Sequence, residues 1–348
     1  MLLELYDFGY EARALQIFAG LLLGLVFGVA AQISRFCLRR AVAGPVEERA
    51  SAGAVWMTAL ATAVLGVAGL TTFGLIDLGA HRFLSGDVSL LAIILGGLAF
   101  GVGMALTRGC ISRLTVLSTS GNLRAVFVIL ILAVFAHATL KGVLAPVRLA
   151  LGEFTVALPV GSVAASPLGQ ALLALLVVAA AVALIWRARP NAFHVVLGAV
   201  IGLVVAGSWA ATSVLLLDEF DPLPVQMAGF MAPWSDTLFW TIASSAVPAN
   251  FGIGFIGGVL GGSFLSAALR GELQLQSFET PAQTLRYGLG GALMGVGGVI
   301  AGGCTVGAGL SGVATGSVAA MLALASIAVG AWVAGNAVEQ GQAVPVAA

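Results

Sequence analysis

The chain has 348 residues, of which 60% are apolar and only 9% charged, with 15 basic and 15 acidic side chains and a mean hydropathy of +1.08. A soluble domain carries about 25% charged residues. The composition therefore excludes a soluble enzyme, a nucleic-acid binder and a disordered protein, and leaves a polytopic membrane protein. Glycine, 47 residues, is in excess; it lets helices approach closely in lipid and lets the backbone leave the helix where a pore needs it. The basic residues are 14 Arg and Lys141. Arginine keeps its charge when desolvated and forks onto anions, so the bias is compatible with anion handling, and equally with a GC-rich coding sequence.

The N-terminal segment Met1–Arg13 carries three acids and lacks the basic start of a secretory signal, so the first apolar stretch is expected to stay in the protein. Apolar runs long enough for a spanning helix, about 20 residues, lie at roughly 14–33, 52–77, 89–106, 123–146, 166–186, 192–208, 250–269, 285–302 and 317–335. The fold class expected is an all-α polytopic membrane protein of about nine spans, in one domain covering 1–348.

Four stretches interrupt this pattern: Ser34–Gly44, Thr107–Asn122, a segment from Gly207 with the apolar run Thr237–Val247 as its extension, and Gly302–Ser317. Each is rich in small or hydroxylated residues and too short to cross a bilayer. Such backbone is tolerated at membrane depth only when buried in protein or lining a cavity, which predicts re-entrant loops with short half-helices. GVGMALTRGCISRLTVLSTSGN and GVGGVIAGGCTVGAGLSGVATGS align on GVG, on GC and on a small-residue tail. Matched interrupted segments point to a binding site between pseudo-symmetric halves, here about 1–165 and 166–348. The pattern leaves open whether the halves are inverted or parallel. Arg187 and Arg189 mark one loop as cytoplasmic, the Arg270–Arg286 loop is assigned to the same side, and Asp218, Glu219 and Asp221 to the other.

No spanning run holds an acid near its middle: Asp77, Glu153 and Asp236 fall at ends or in loops. A proton pump usually shows an intramembrane carboxylate or a histidine relay, and His137, the one histidine well inside a span, reads as a hydrogen-bonded packing residue. No phosphate-binding loop with its lysine is present, and the three widely spaced cysteines suit neither a disulfide framework nor a metal site. No cofactor, metal or nucleic-acid partner is expected.

Cys37, Cys110 and Cys304 each fall inside an interrupted stretch and none in an ordinary span. Arg35, Arg39 and Arg40 surround Cys37, and Arg108 and Arg113 surround Cys110; Cys304 has only its glycine-rich backbone and Thr305. Arg39 and Arg40 also suit positive-inside anchoring. A thiolate would repel a divalent anion, whereas a neutral thiol donates a weak S–H hydrogen bond. A substrate with a polarisable terminal sulfur suits that donor better than sulfate or phosphate does.

SRFCLRRA, GMALTRGCISR followed by LSTSGN, and GGVIAGGCTVGAGLSG resemble the cysteine segments of the YeeE/YedE sulfur-transport membrane proteins, nearest the thiosulfate uptake branch, over almost the whole chain. The resemblance implies a multi-pass protein of the bacterial inner membrane, hourglass-like, with its broken segments meeting at mid-membrane. It implies thiosulfate, or a related sulfur or selenium species, passing Cys37, Cys110 and Cys304 by transient thiol hydrogen bonds. It also implies a separate TusA-like sulfurtransferase on the cytoplasmic side.

On this reading the protein is a transporter without ATP hydrolysis. Arg35, Arg108 and Arg113 hold the anion, and Gly109 and Gly303, with Thr305, shape the backbone beside the thiols. Two rivals remain at this stage: a membrane-embedded sulfurtransferase forming a cysteine persulfide, and a passive anion channel with structural cysteines.

Overall fold

The computed structural model describes residues 12–76, 87–157, 161–215 and 225–342. Most of the acidic N-terminal segment, Asp77 and the acids Asp218, Glu219 and Asp221 lie outside them. The helices are α1 Ala12–Ser34, α2 Leu38–Ala43, α3 Val46–Thr72, α4 Leu90–Leu106, α5 Ile111–Thr119, α6 Leu123–Lys141, α7 Ala145–Gly152, α8 Pro167–Ala188, α9 Ala192–Ala210, α10 Met231–Ile242, α11 Phe251–Leu269, α12 Pro281–Ile300 and α13 Val318–Gln342. Wider π-type turns cover Ala211–Leu215 and Gly307–Gly312, and a two-residue antiparallel ladder, β1 Asp87–Val88 with β2 Val156–Ala157, ties one end together. The protein is an all-α polytopic membrane protein.

Among the described residues, eight segments are long and apolar enough to cross a membrane: α1 running on into α2, α3, α4 running on into α5, α6, α8, α9, α11 and α13. The ninth expected span falls on α12, which has the length, 20 residues, but whose apolar content is diluted by glycine. Helix starts are fixed locally. Asn122, Ser166, Asn191, Asn250 and Thr280 each accept a backbone N–H as N-caps, and Pro167 and Pro281 occupy first helical positions.

Lipid offers helices no hydrophobic reason to associate, so close packing must do it. The seam between α4 and α12 is glycine on both sides. A Cβ on Gly96 would lie 2.5 Å from the Ala301 nitrogen, and one on Gly103 would lie 2.5 Å from the Gly290 oxygen. Gly96 meeting residue 301 while Gly103 meets 290 makes the two helices antiparallel. By the same kind of contact α1 runs parallel to α11, α3 to α9, α4 to α13 and α6 to α12. His137 is the packing residue expected: its Nδ1 lies 3.0 Å from Ser235 Oγ and its ring stacks on Phe239 at 3.4 Å. Asp236 departs from expectation, because it lies inside α10, where it accepts from Asn250 Nδ2 at 3.1 Å.

One set of charged and polar loops meets at one end. Gln32 Nε2 donates to Glu272 Oε2 at 2.9 Å, Arg270 pairs with Glu272 at 3.0 Å, and the Ser120–Asn122 turn is hydrogen-bonded to Gln274 and Gln276. Burial works against the Glu272 charge, but hydrogen bonds from Arg270 and Gln32 outweigh it and hold the carboxyl below the usual carboxylate range.

Two outcomes follow from these contacts. Gly297→Val, whose Cβ would sit 2.6 Å from Phe100 N, should cost about 1–3 kcal/mol as overpacking and lower the melting midpoint in detergent. Gly261→Ala, in open space, should not. Because the Glu272 pKa is depressed by folding, its contribution is present above the unfolded value and is lost as pH falls through the folded one. Acid melting profiles should therefore be less steep for Glu272→Gln than for the wild type.

Candidate functional site

The three cysteines occupy one recurring backbone device. Each follows a helix end whose capping residue has left-handed backbone: Arg35 (φ 52°) after α1, Arg108 (φ 57°) after α4 and Gly302 (φ 81°) after α12. The amide of the next residue reaches back across the last turn in the first two, Phe36 N to Ala31 O at 3.2 Å and Gly109 N to Met104 O at 3.2 Å. This is the bonding of a Schellman cap, which satisfies carbonyls that lipid cannot. The cysteine comes two residues after the left-handed position and is itself extended at Cys37 and Cys110, where it serves as N-cap of α2 and of α5. Cys304 opens a turn in the same way: its carbonyl accepts from Ala308 N at 2.9 Å and its Sγ from Gly307 N at 3.3 Å.

The bend thus sits one residue before the glycines assigned to it. Gly109 and Gly303 serve close packing instead, since a Cβ on Gly303 would lie 2.8 Å from Ala308 N and one on Gly109 would lie 3.2 Å from the Leu114 side chain. Two of the three bends place an arginine in a conformation that favours glycine. Those residues, Arg35 and Arg108, are exposed.

All three thiols are free and buried in one continuous core. The structure brings two of them together: Cys37 Sγ lies 3.5 Å from Cys110 Sγ, which in turn lies 3.2 Å from Ser112 Oγ. Cys304 makes its contact with its own turn. Arg113 is half-buried on α5 with one guanidinium nitrogen, Nη1, enclosed and unpartnered, and Thr305, 1% exposed, has an unpartnered Oγ1. A polar cavity of about 20 Å³ opens beside Cys37, lined by Ser34, Arg35, Arg40, Ser51 and His194 among others. It has room for about one water molecule.

The four interrupted stretches meet in this core, as re-entrant segments must. Trp234 Nε1 donates to Thr115 Oγ1 at 2.8 Å, joining the third stretch to the second. Trp209 Nε1 donates to Ser311 O at 3.3 Å, and Ser311 Oγ to Ala228 O at 2.6 Å, joining the third to the fourth. Sequence reasoning did not select Ser51 or His194. Both lie on helices, α3 and α9, outside the cysteine segments, and the tertiary fold carries them to Cys37. Among the described residues no three His, Cys, Asp or Glu side chains cluster as metal ligands.

Residues 33–333 match the sequence profile of the family described as Sulphur transport, which spans all three cysteine breaks. The chain belongs to the sulphur-transport family. Two relatives carry the name thiosulfate transporter TsuA. The protein from Spirochaeta thermophila is 28% identical over 333 residues, covering 91% of this chain and 97% of its own length. That from Escherichia coli K12 is 25% identical over 340 residues, covering 91% and 93%. The family profile runs from the end of α1 into α13.

Arg35 pays a backbone penalty of about 1 kcal/mol for its left-handed conformation. Arg35→Gly should therefore melt at the wild-type temperature or slightly above it, and Arg35→Val clearly below, in detergent-purified protein.

Proposed function

We propose that this member of the sulphur-transport family takes up thiosulfate, or a closely related sulfur-bearing anion, across the bacterial inner membrane, passing it along Cys37, Cys110 and Cys304 without ATP hydrolysis by this chain. The observation that carries the reading is the 3.5 Å contact between Cys37 and Cys110 at the junction of two capped helix breaks, in a chain whose relatives are named thiosulfate transporters. Two thiols at that separation share one small region, so an anion touching one is within a short step of the other. Neutral thiols offer weak S–H donors, suited to a polarisable terminal sulfur. No bond is made or broken, so thermal motion suffices to release each contact. Exposed Arg35 and Arg108 draw the anion toward the breaks, and half-buried Arg113 balances its charge beside the thiol pair. The protein acts on this reading as a carrier path and not as an enzyme.

The same reading takes about 1–165 and 166–348 as inverted units. Under that exchange α1 corresponds to α9, α3 to α11, α4 to α12 and α6 to α13, while α8 stands outside. Antiparallel α4 and α12 support it, and so do the paired parallel seams: α1 on α11 matches α9 on α3, and α4 on α13 matches α12 on α6. The end carrying Arg35, Arg40, Arg187, Arg189 and Arg270 is the cytoplasmic one by the positive-inside tendency. A small TusA-like sulfurtransferase would collect the product there.

The test is uptake of labelled thiosulfate by cells lacking their own transporter, comparing wild type with Cys110→Ala at matched membrane levels. Uptake by the wild type that falls to background in the mutant is the expected result. Undiminished uptake in a well-folded mutant would sink the relay. Label that stays on the protein through denaturation without reductant would instead identify a persulfide and an enzymatic route.

A further inference from the structure

One gap in the relay is evident: Cys37 and Cys110 touch, while Cys304 bonds only within its own turn. Trp56, on α3, meets the Cys304 side of that gap. On α3, Ser51, Ala52 and Val55 line the cavity beside Cys37. Trp56 is four residues beyond Ala52, hence on the same helix face, one turn deeper from the charged end. Its far edge meets the Cys304 turn: a Cβ built on Gly309 would lie 3.5 Å from Trp56 Cζ2, and Gly309 N is hydrogen-bonded to Cys304 O at 3.2 Å. Cζ2 is attached to the ring carbon that carries Nε1, so the edge turned toward the Cys304 segment is the N–H edge.

The indole is 4% exposed and its Nε1 has no hydrogen-bond partner among the described residues. Indole N–H is a donor only, and a rigid ring cannot turn it elsewhere. A buried donor left unpaired is costly, and buried Tyr and Trp usually find a partner. Buried Trp209 and half-buried Trp234, in the same core, do: each donates to the protein. The second unpartnered group on this stretch is Thr305 Oγ1, next to Cys304 in sequence and 1% exposed. Both are buried groups able to donate a hydrogen bond, one beside the Cys304 turn and one within it, and such donors match the oxygens of a small oxyanion.

We infer that Trp56 Nε1–H, with Thr305 Oγ1, receives the oxyanion end of the substrate as it passes from the Cys37–Cys110 pair to Cys304. This rests on the transport reading above and adds a positioning residue to it. The thiols face the terminal sulfur while the indole and hydroxyl hold the oxygens, so selectivity for an anion carrying both kinds of atom arises from two separate sets of donors.

The experiment uses the full chain in proteoliposomes, with initial rates of labelled thiosulfate uptake measured across a concentration series. Trp56 is replaced by Phe and, as a near-isostere, by benzothienylalanine, which exchanges the N–H for sulfur and keeps the ring shape. One hydrogen bond to a charged group predicts a KM raised by about tenfold in both variants, with the maximal rate and the melting midpoint of the benzothienyl protein close to wild type. An unchanged KM in the benzothienyl protein, with the wild type active, overturns the role of Trp56 and leaves the transport reading standing. A loss that appears in Phe alone also overturns it, because ring packing and not the N–H is then what matters. Absence of saturable wild-type uptake overturns the transport reading and this inference together.

Discussion

Hydrocarbon supplies no hydrogen bonds, so a helix that stops inside a membrane must satisfy its own loose ends. The geometry around the three cysteines answers that constraint. Left-handed residues at Arg35, Arg108 and Gly302 turn the chain sharply, amides of the next residues return to the last helical carbonyls at the first two breaks, and a cysteine starts the following turn. Cys37 and Cys110 stand where they do because they occupy the cap position at the restart, and Cys304 opens the turn that follows its break. Burial, convergence and the short Cys37–Cys110 contact are consequences of bringing capped ends together in one core.

Glycine makes that convergence possible from the outside inward. The α4–α12 seam closes to backbone contact, and these are the two helices that lead into Cys110 and Cys304. A seam of larger residues would hold the helices further apart and separate the breaks they feed. The glycine excess and the position of the broken segments are thus two expressions of one packing requirement.

Much of this was legible in the chain. Apolar run lengths located the spans because a bilayer has a fixed thickness, and the four interrupted stretches were visible because hydroxyl and glycine clusters stand out against Leu, Val and Ala. The run 285–302 reads as a span like the others, but glycine serving the α12 seam lowers its apolar content, and α12 is not among the eight segments apolar enough to cross a membrane in the described residues. The bend positions were misplaced by one residue. A glycine beside a cysteine reads as the flexible point, yet Arg108 carries the positive φ and Gly109 fills a tight contact. Ser51, His194 and Trp56 were silent, because a polar residue on an apolar helix gains meaning only from what faces it across the core. Asp236 falls at the edge of an apolar run in the sequence, and only the fold shows it inside α10.

The cavity beside Cys37, about 20 Å³, bears on the energy balance of the cell. It admits one water and not a five-atom anion. A bilayer holding a voltage charges about 2.3 kcal/mol for each elementary charge moved through ~100 mV, so a permanently open anion route would drain that stored work. A constriction of solvent size means that passage along the proposed path waits on the displacement of side chains around Cys37. On that path, throughput is set by how often those side chains yield.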